Sequence, residues 1–176
     1  VPLGAVLVAA ATDVWRYKIY NVVSLPLLAT GLIYHGMVGG AAALGVSLLG
    51  ALFGFGVLLF LYLLGGMGAG DVKLLAAVGA WLGLPHVVVV FLASSLAAGL
   101  YALVLIVVYR TAGDTWGNLK IVWFRLRVLG RRLAEEDRIE AGIFRADRRG
   151  RLIPFGAMIA LGLIATLVWS AMRLGE

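Results

Sequence analysis

AAALGVSLLGALFGFGVLLFLYLL, residues 41–64, runs for 24 residues without a charged side chain. As a helix rising about 1.5 Å per residue it would span about 36 Å, more than the roughly 30 Å hydrocarbon core of a bilayer. Lipid offers the backbone no hydrogen-bond partner, so a run of this kind must satisfy its amides internally as a helix. Its small residues are spaced to match. Gly50 and Gly54 stand four apart, a pattern that lets helices approach closely.

Similar runs lie on both sides. Reading outward gives six predicted spans, at about 1–12, 22–37, 41–64, 72–84, 87–109 and 153–172. The first is short and needs residues beyond Thr12 or before Val1 to cross a bilayer. The chain begins with Val rather than Met, which leaves a trimmed N-terminus as an expectation, and no signal peptide is evident. The sequence is 62% hydrophobic, against about half for a soluble domain. The expected fold class is therefore all-α: a polytopic membrane protein forming a single embedded domain over 1–176, with a basic loop inserted at 110–151.

Charge is unevenly placed. The net charge is +6, but the basic residues sit in short breaks between spans and in 110–151. That is the distribution of cytoplasmic membrane flanks, not of a nucleic-acid surface. With the N-terminus outside, only Arg173 of the fifteen Lys and Arg residues falls on the outer side, and fourteen fall inside. Within 110–151, Trp116, Leu119, Trp123, Leu126 and Leu133 recur near helical spacing among Lys120, Arg125, Arg127, Arg131 and Arg132. Such a stretch suits either an anionic lipid surface or a solvated connector.

The first 109 residues contain two acids, Asp13 and Asp71. Each stands where an apolar segment meets a polar break, the second within Gly65-Gly66-Met67-Gly68-Ala69-Gly70-Asp71-Val72-Lys73-Leu74. A carboxylate near membrane depth is costly and points to function. The bland readings are a helix N-cap at Asp71 and an interfacial pairing of Asp13 with Arg16. An acid near the end of a helix opposes the helix dipole, which weakens the second. Other chemistries lack their parts. The zinc-protease pattern of two histidines and a glutamate is absent, and His35 and His86 are isolated near predicted outer loops. There is no cysteine. Ser24, Ser47, Ser94, Ser95 and Ser170 lack a candidate base and are expected to bond to backbone. Two aspartates remain. Close together they cannot both ionise easily, so one keeps a proton and the other serves as base. No metal or cofactor is called for.

The run Gly68-Ala69-Gly70-Asp71-Val72-Lys73-Leu74 resembles the Gly-x-Gly-Asp motif of intramembrane aspartyl proteases. Asp13-Val14-Trp15-Arg16-Tyr17-Lys18-Ile19-Tyr20-Asn21 is similar to the first motif of type IV prepilin peptidases, with Tyr20 where the family has Pro. Ile153-Pro154-Phe155-Gly156-Ala157 resembles the motif that opens the family's last span. The resemblance implies an aspartic endopeptidase of the plasma (inner) membrane that removes the short leader of prepilin-like precursors at the cytoplasmic face. Asp13 and Asp71 would be catalytic, with Gly68, Gly70, Lys73, Arg16, Asn21 and Pro154 in support. Gly68 and Gly70 would permit close backbone approach, and Lys73 would hold its loop or meet lipid phosphate. The likeness is to the short form, of the tight-adherence pilus or preflagellin type. The paired-cysteine portion of larger members has no counterpart here, so methylation is not implied. The expected partners are a precursor substrate and membrane lipid, without nucleic acid. A presenilin-like protease fits less well. The alternative from another class is a non-enzymatic membrane scaffold or a proton- or ion-coupled transporter subunit using the same acid pair.

The charge asymmetry generates a topology test. Single cysteines placed at Asp137 and at Glu176 are probed with an impermeant thiol reagent on intact cells. Position 176 should label and position 137 should be spared. The reverse pattern would overturn the orientation.

Overall fold

The computed structural model describes residues 2–16, 19, 21–63, 67–109 and 155–174. They form helices α1 (Pro2–Arg16), α2 (Asn21–Leu63), α3 (Ala69–Tyr109) and α4 (Phe155–Leu174). One compact unit comprises 1–99 with 154–176. The second, 100–153, is described through residues 100–109, which are helical. The predicted amphipathic stretch of 110–151 lies outside the described residues. Three helices, α2, α3 and α4, are long and apolar enough to cross a membrane. The described residues are almost entirely helical, and the protein is an integral membrane protein.

Neither long helix is one straight rod. Gly40 (φ 66, ψ −160) breaks α2 and Gly83 (φ 74, ψ 172) breaks α3. Positive φ is a conformation that glycine adopts without a Cβ penalty. The contacts give the direction of each half. Along the first half of α2, Asn21 meets Lys73 and the Leu27 carbonyl meets the Trp81 indole, so it runs parallel to the first half of α3. Along the second half, Ser47 bonds to Ala80, Gly50 faces Gly79 and Gly54 faces Leu75, so it runs antiparallel to that same segment. The halves of α2 thus fold back on each other at Gly40, where Gly39 touches Ala43. In α3, Gly83 packs on Val46 and Phe91 lies edge-on to Phe53, so its second half follows the second half of α2 and reverses its own first half. The break predicted at 85–86 falls at Gly83 instead, and His35 and His86 are helical, each within a few residues of a reversal. The His35 ring lies 3.0 Å from the Trp81 carbonyl, and Tyr34 stacks on Trp81.

Small residues set the closeness of these halves. A Cβ on Gly54 would stand 2.6 Å from the Leu75 carbonyl oxygen, and one on Gly50 would stand 2.8 Å from the Gly83 carbonyl carbon and press still closer on the Gly79 carbonyl. Ser47, Gly50 and Gly54 share one helix face, as spacings of three and four require. The expected packing role of Gly50 and Gly54 is what the structure has. Ser47 and Ser94 bond to backbone carbonyls as expected, whereas Ser24 Oγ is buried without a partner among the described residues. The opposite faces carry exposed apolar side chains, among them Leu52, Leu96 and Leu103, which suit lipid. Helix α1 packs on α4 and α2, burying Val6 and Ala9 in a core shared with Leu74, Val78, Ile159 and Leu163.

Backbone contact at Gly50 makes a falsifiable contrast with Gly45, where an added Cβ meets open space. Gly50→Ala should cost about 1–3 kcal/mol through overpacking. Gly45→Ala should be neutral, or stabilising by up to about 1 kcal/mol through helix propensity. Unfolding titrations in mixed micelles measure both, and equal effects would refute the packing.

Candidate active site

Asp13 lies in the last turn of α1, where the helix dipole disfavours an acid. Its environment compensates. The side chain is 7% exposed, and Oδ2 accepts the Gly156 N–H at 2.9 Å. The Ala157 N–H is directed at the same carboxylate. These amides open α4 and have no partner within their own helix, so a carboxylate there satisfies donors that would otherwise be orphaned. The same helix start favours negative charge.

Asp71 is the third residue of α3. The bland alternative of a plain N-cap at this position does not describe it: Gly68 occupies the cap. The Gly68 carbonyl accepts the Asp71 N–H at 3.2 Å, and the Gly68 N–H donates to Asp71 Oδ2 at 3.3 Å. This is the backward-reaching half of a capping box, with glycine in place of the usual serine or threonine. That role uses one oxygen. Oδ1 is buried and, among the described residues, has no hydrogen-bond partner, a condition that costs about 1–3 kcal/mol for a polar group and more for a charged one. Capping does not account for it. Asp13 stands near enough for its charge to act on Asp71, and the Gly156 amide lies close to both carboxylates. We place that amide with Asp13, because its bond there is short and no well-formed bond reaches Asp71 Oδ1.

The supporting residues divide. Lys73 Nζ donates to Asn21 Oδ1 at 2.9 Å, tying the first turn of α3 to the start of α2. Of the two roles weighed for Lys73, holding its loop is the one with a contact. Gly70 is needed sterically, since a Cβ there would stand 2.9 Å from the Ile19 Cβ. Gly68 acts through its amide, and a Cβ on it would meet Asp71 only at ordinary distance. Pro154 and the Arg16 side chain lie outside the described residues. Two residues at the centre were not among the predicted site residues. Gly156 supplies the amide to Asp13, and Ile19 is buried beside it. Both sit in motifs the sequence displayed, and a glycine opening the last helix was the available signal. Among the described residues, no three His, Cys, Asp or Glu side chains gather as a metal-ligand set.

With this geometry in view, the comparisons with known proteins are direct. The type IV leader peptidase family matches residues 1–103, a stretch that includes both aspartates. This chain belongs to that family. It is 42% identical over 101 residues to a prepilin leader peptidase/N-methyltransferase of Aeromonas salmonicida, covering 53% of this chain and 34% of that one. A protein of the same name in Burkholderia pseudomallei is 40% identical over 109 residues, covering 56% and 35%. One in Neisseria gonorrhoeae is 42% identical over 89 residues, covering 47% and 31%. The chain thus spans about a third of the length of the curated relatives it matches. No solved structure matches it.

The Lys73–Asn21 contact predicts coupling. In a double-mutant cycle, Lys73→Met and Asn21→Leu should interact by about 0.5–1.5 kcal/mol, the worth of one hydrogen bond. Strict additivity in unfolding titrations would show that the contact contributes nothing.

Proposed function

We propose that this chain is an aspartic endopeptidase of the inner membrane that removes the short leader of prepilin-like precursors at the cytoplasmic face, with Asp13 and Asp71 as its catalytic pair. The observation that carries this is the meeting of the two aspartates at the ends of α1 and α3, around the Gly156 amide, with Asp71 Oδ1 left unpartnered. Family membership and the printed names of the relatives support the same reaction. They give no support to a scaffold or transporter.

In this reading the ionised carboxylate takes a proton from a water molecule, whose oxygen attacks the scissile carbonyl carbon. The protonated carboxyl hydrogen-bonds to the carbonyl oxygen and transfers its proton as the tetrahedral intermediate forms. Collapse restores the carbonyl and breaks the C–N bond, and the leaving amine takes up a proton from the pair. The dyad titrates as a unit, so the two roles belong to the pair and not to one residue by name.

The reversals at Gly40 and Gly83 divide α2 and α3 into two segments each. Together with α1 and α4 they support six crossings. An odd number of crossings lies between Asp13 and the far ends of these hairpins, so both acids fall on one side, which the basic asymmetry makes cytoplasmic. A substrate helix ties up its own carbonyls. Cleavage at this level therefore suits a bond where the precursor's apolar helix begins.

Asp13→Asn and Asp71→Asn should each lower leader removal by at least about a thousandfold, in the range expected for loss of an acid–base group. Membrane insertion should remain. The assay is co-expression with a prepilin-like precursor, scored for leader loss on a gel. Near-normal processing by either variant would sink the two-aspartate mechanism.

A further inference from the structure

Among the described residues between Asp13 and Asn21, Ile19 is an apolar residue turned inward. Ile19 is 8% exposed and belongs to the buried core. It touches glycines from two different helices. A Cβ on Gly70 would stand 2.9 Å from the Ile19 Cβ, and a Cβ on Gly156 would stand 2.8 Å from the Ile19 Cδ1. Gly70 immediately precedes Asp71. Gly156 gives its N–H to Asp13. The base of the isoleucine side chain thus bears on the segment that carries one acid, and its tip bears on the residue that holds the other. Both glycines already offer the smallest possible surface, so neither segment can move inward while Ile19 is present. Isoleucine is stiff at χ1, so its side chain is less free than an unbranched one to swing out from between the two glycines.

We propose that Ile19 is a positioning residue that sets the separation of Asp13 and Asp71 by standing between Gly70 and Gly156. Its effect on cleavage rests on the peptidase reading above, whereas its effect on spacing does not. Ile19→Ala keeps the Cβ against Gly70 and opens a gap where Cδ1 met Gly156, so Gly156 and the carboxylate it holds are free to shift. Ile19→Val removes only Cδ1. Gly156→Ala does the opposite, driving a methyl group into Ile19 Cδ1 and Asp13.

The test uses the absence of cysteine from the full chain. Asp13→Cys with Asp71→Cys is treated in membranes with bifunctional thiol reagents of graded length. Ser47→Cys with Ala80→Cys, across the helix contact away from the site, is the reference pair. Ile19→Ala should change which reagent lengths join positions 13 and 71 and leave the reference pair unaltered, and Ile19→Val should act in the same direction to a smaller extent. In the chain with both aspartates, Ile19→Ala should lower kcat by roughly a hundredfold with KM little changed, as misplacement of reacting groups does. Ile19→Val should partly restore cleavage to Gly156→Ala. An unchanged length dependence at 13 and 71 overturns the proposal, and so does an equal change in the reference pair, which would mean general loosening. A shift confined to the 13–71 pair, in a chain that cleaves no precursor even without substitution, would uphold the spacer and refute the peptidase reading.

Discussion

The hydrogen bond from the Gly156 amide to Asp13 joins two helix ends that each carry an electrostatic fault. The last turn of α1 should repel an acid, and the first turn of α4 has amides without partners. Bringing one to the other removes both faults at once, and it does so between residues 143 positions apart. The arrangement demands glycine at 156, since a side chain there would strike both Asp13 and Ile19. Asp71 then enters from α3 against a centre whose donors are already committed, which is why one of its oxygens is left with nothing to accept.

Much of the protein's stability lies away from that centre. The halves of α2 and α3 meet backbone to backbone through Gly50, Gly54 and Gly79, and side chains close the exposed carbonyls near Gly83: Ser47 bonds to Ala80, and the His35 ring meets Trp81. The first half of α3 is therefore gripped at one end and carries Asp71 at the other. A rigid short helix is a good mount for a group whose placement matters. The lysine–asparagine bond at its first turn adds a second fixture beside the acid.

The apolar runs made the helices legible, because a segment without charge in lipid has one way to satisfy its backbone. The two aspartates were legible for the same reason: charge is so scarce over 1–109 that each instance stands out. The places where the chain turns were less so. Gly40 lay in the predicted break, but Gly83 was passed over in favour of the proline and histidine that follow it, and the structure takes both of those into helix. Local composition indicates where a helix can end, whereas positive φ at one glycine is decided by what packs beside it, here Val46. Ile19 and Gly156 were hidden differently. An isoleucine among apolar residues carries no mark of its partners, and only the fold brings Gly70 and Gly156 to it. The bland reading of Asp71 as a cap rested on its opening a helix, and the cap is Gly68, three residues earlier.

The single-residue reversals at Gly40 and Gly83 also bear on how the chain enters its membrane. A reversal one residue long leaves no slack, so the two arms of each hairpin cannot be threaded independently and then adjusted. The end of the molecule at these reversals offers no extended strand to a protease or a chaperone among the described residues. At Gly50 and Gly54 the buried seam between the arms has no room for an added side chain, so change along these hairpins is tolerated on their outward faces and not where the arms meet.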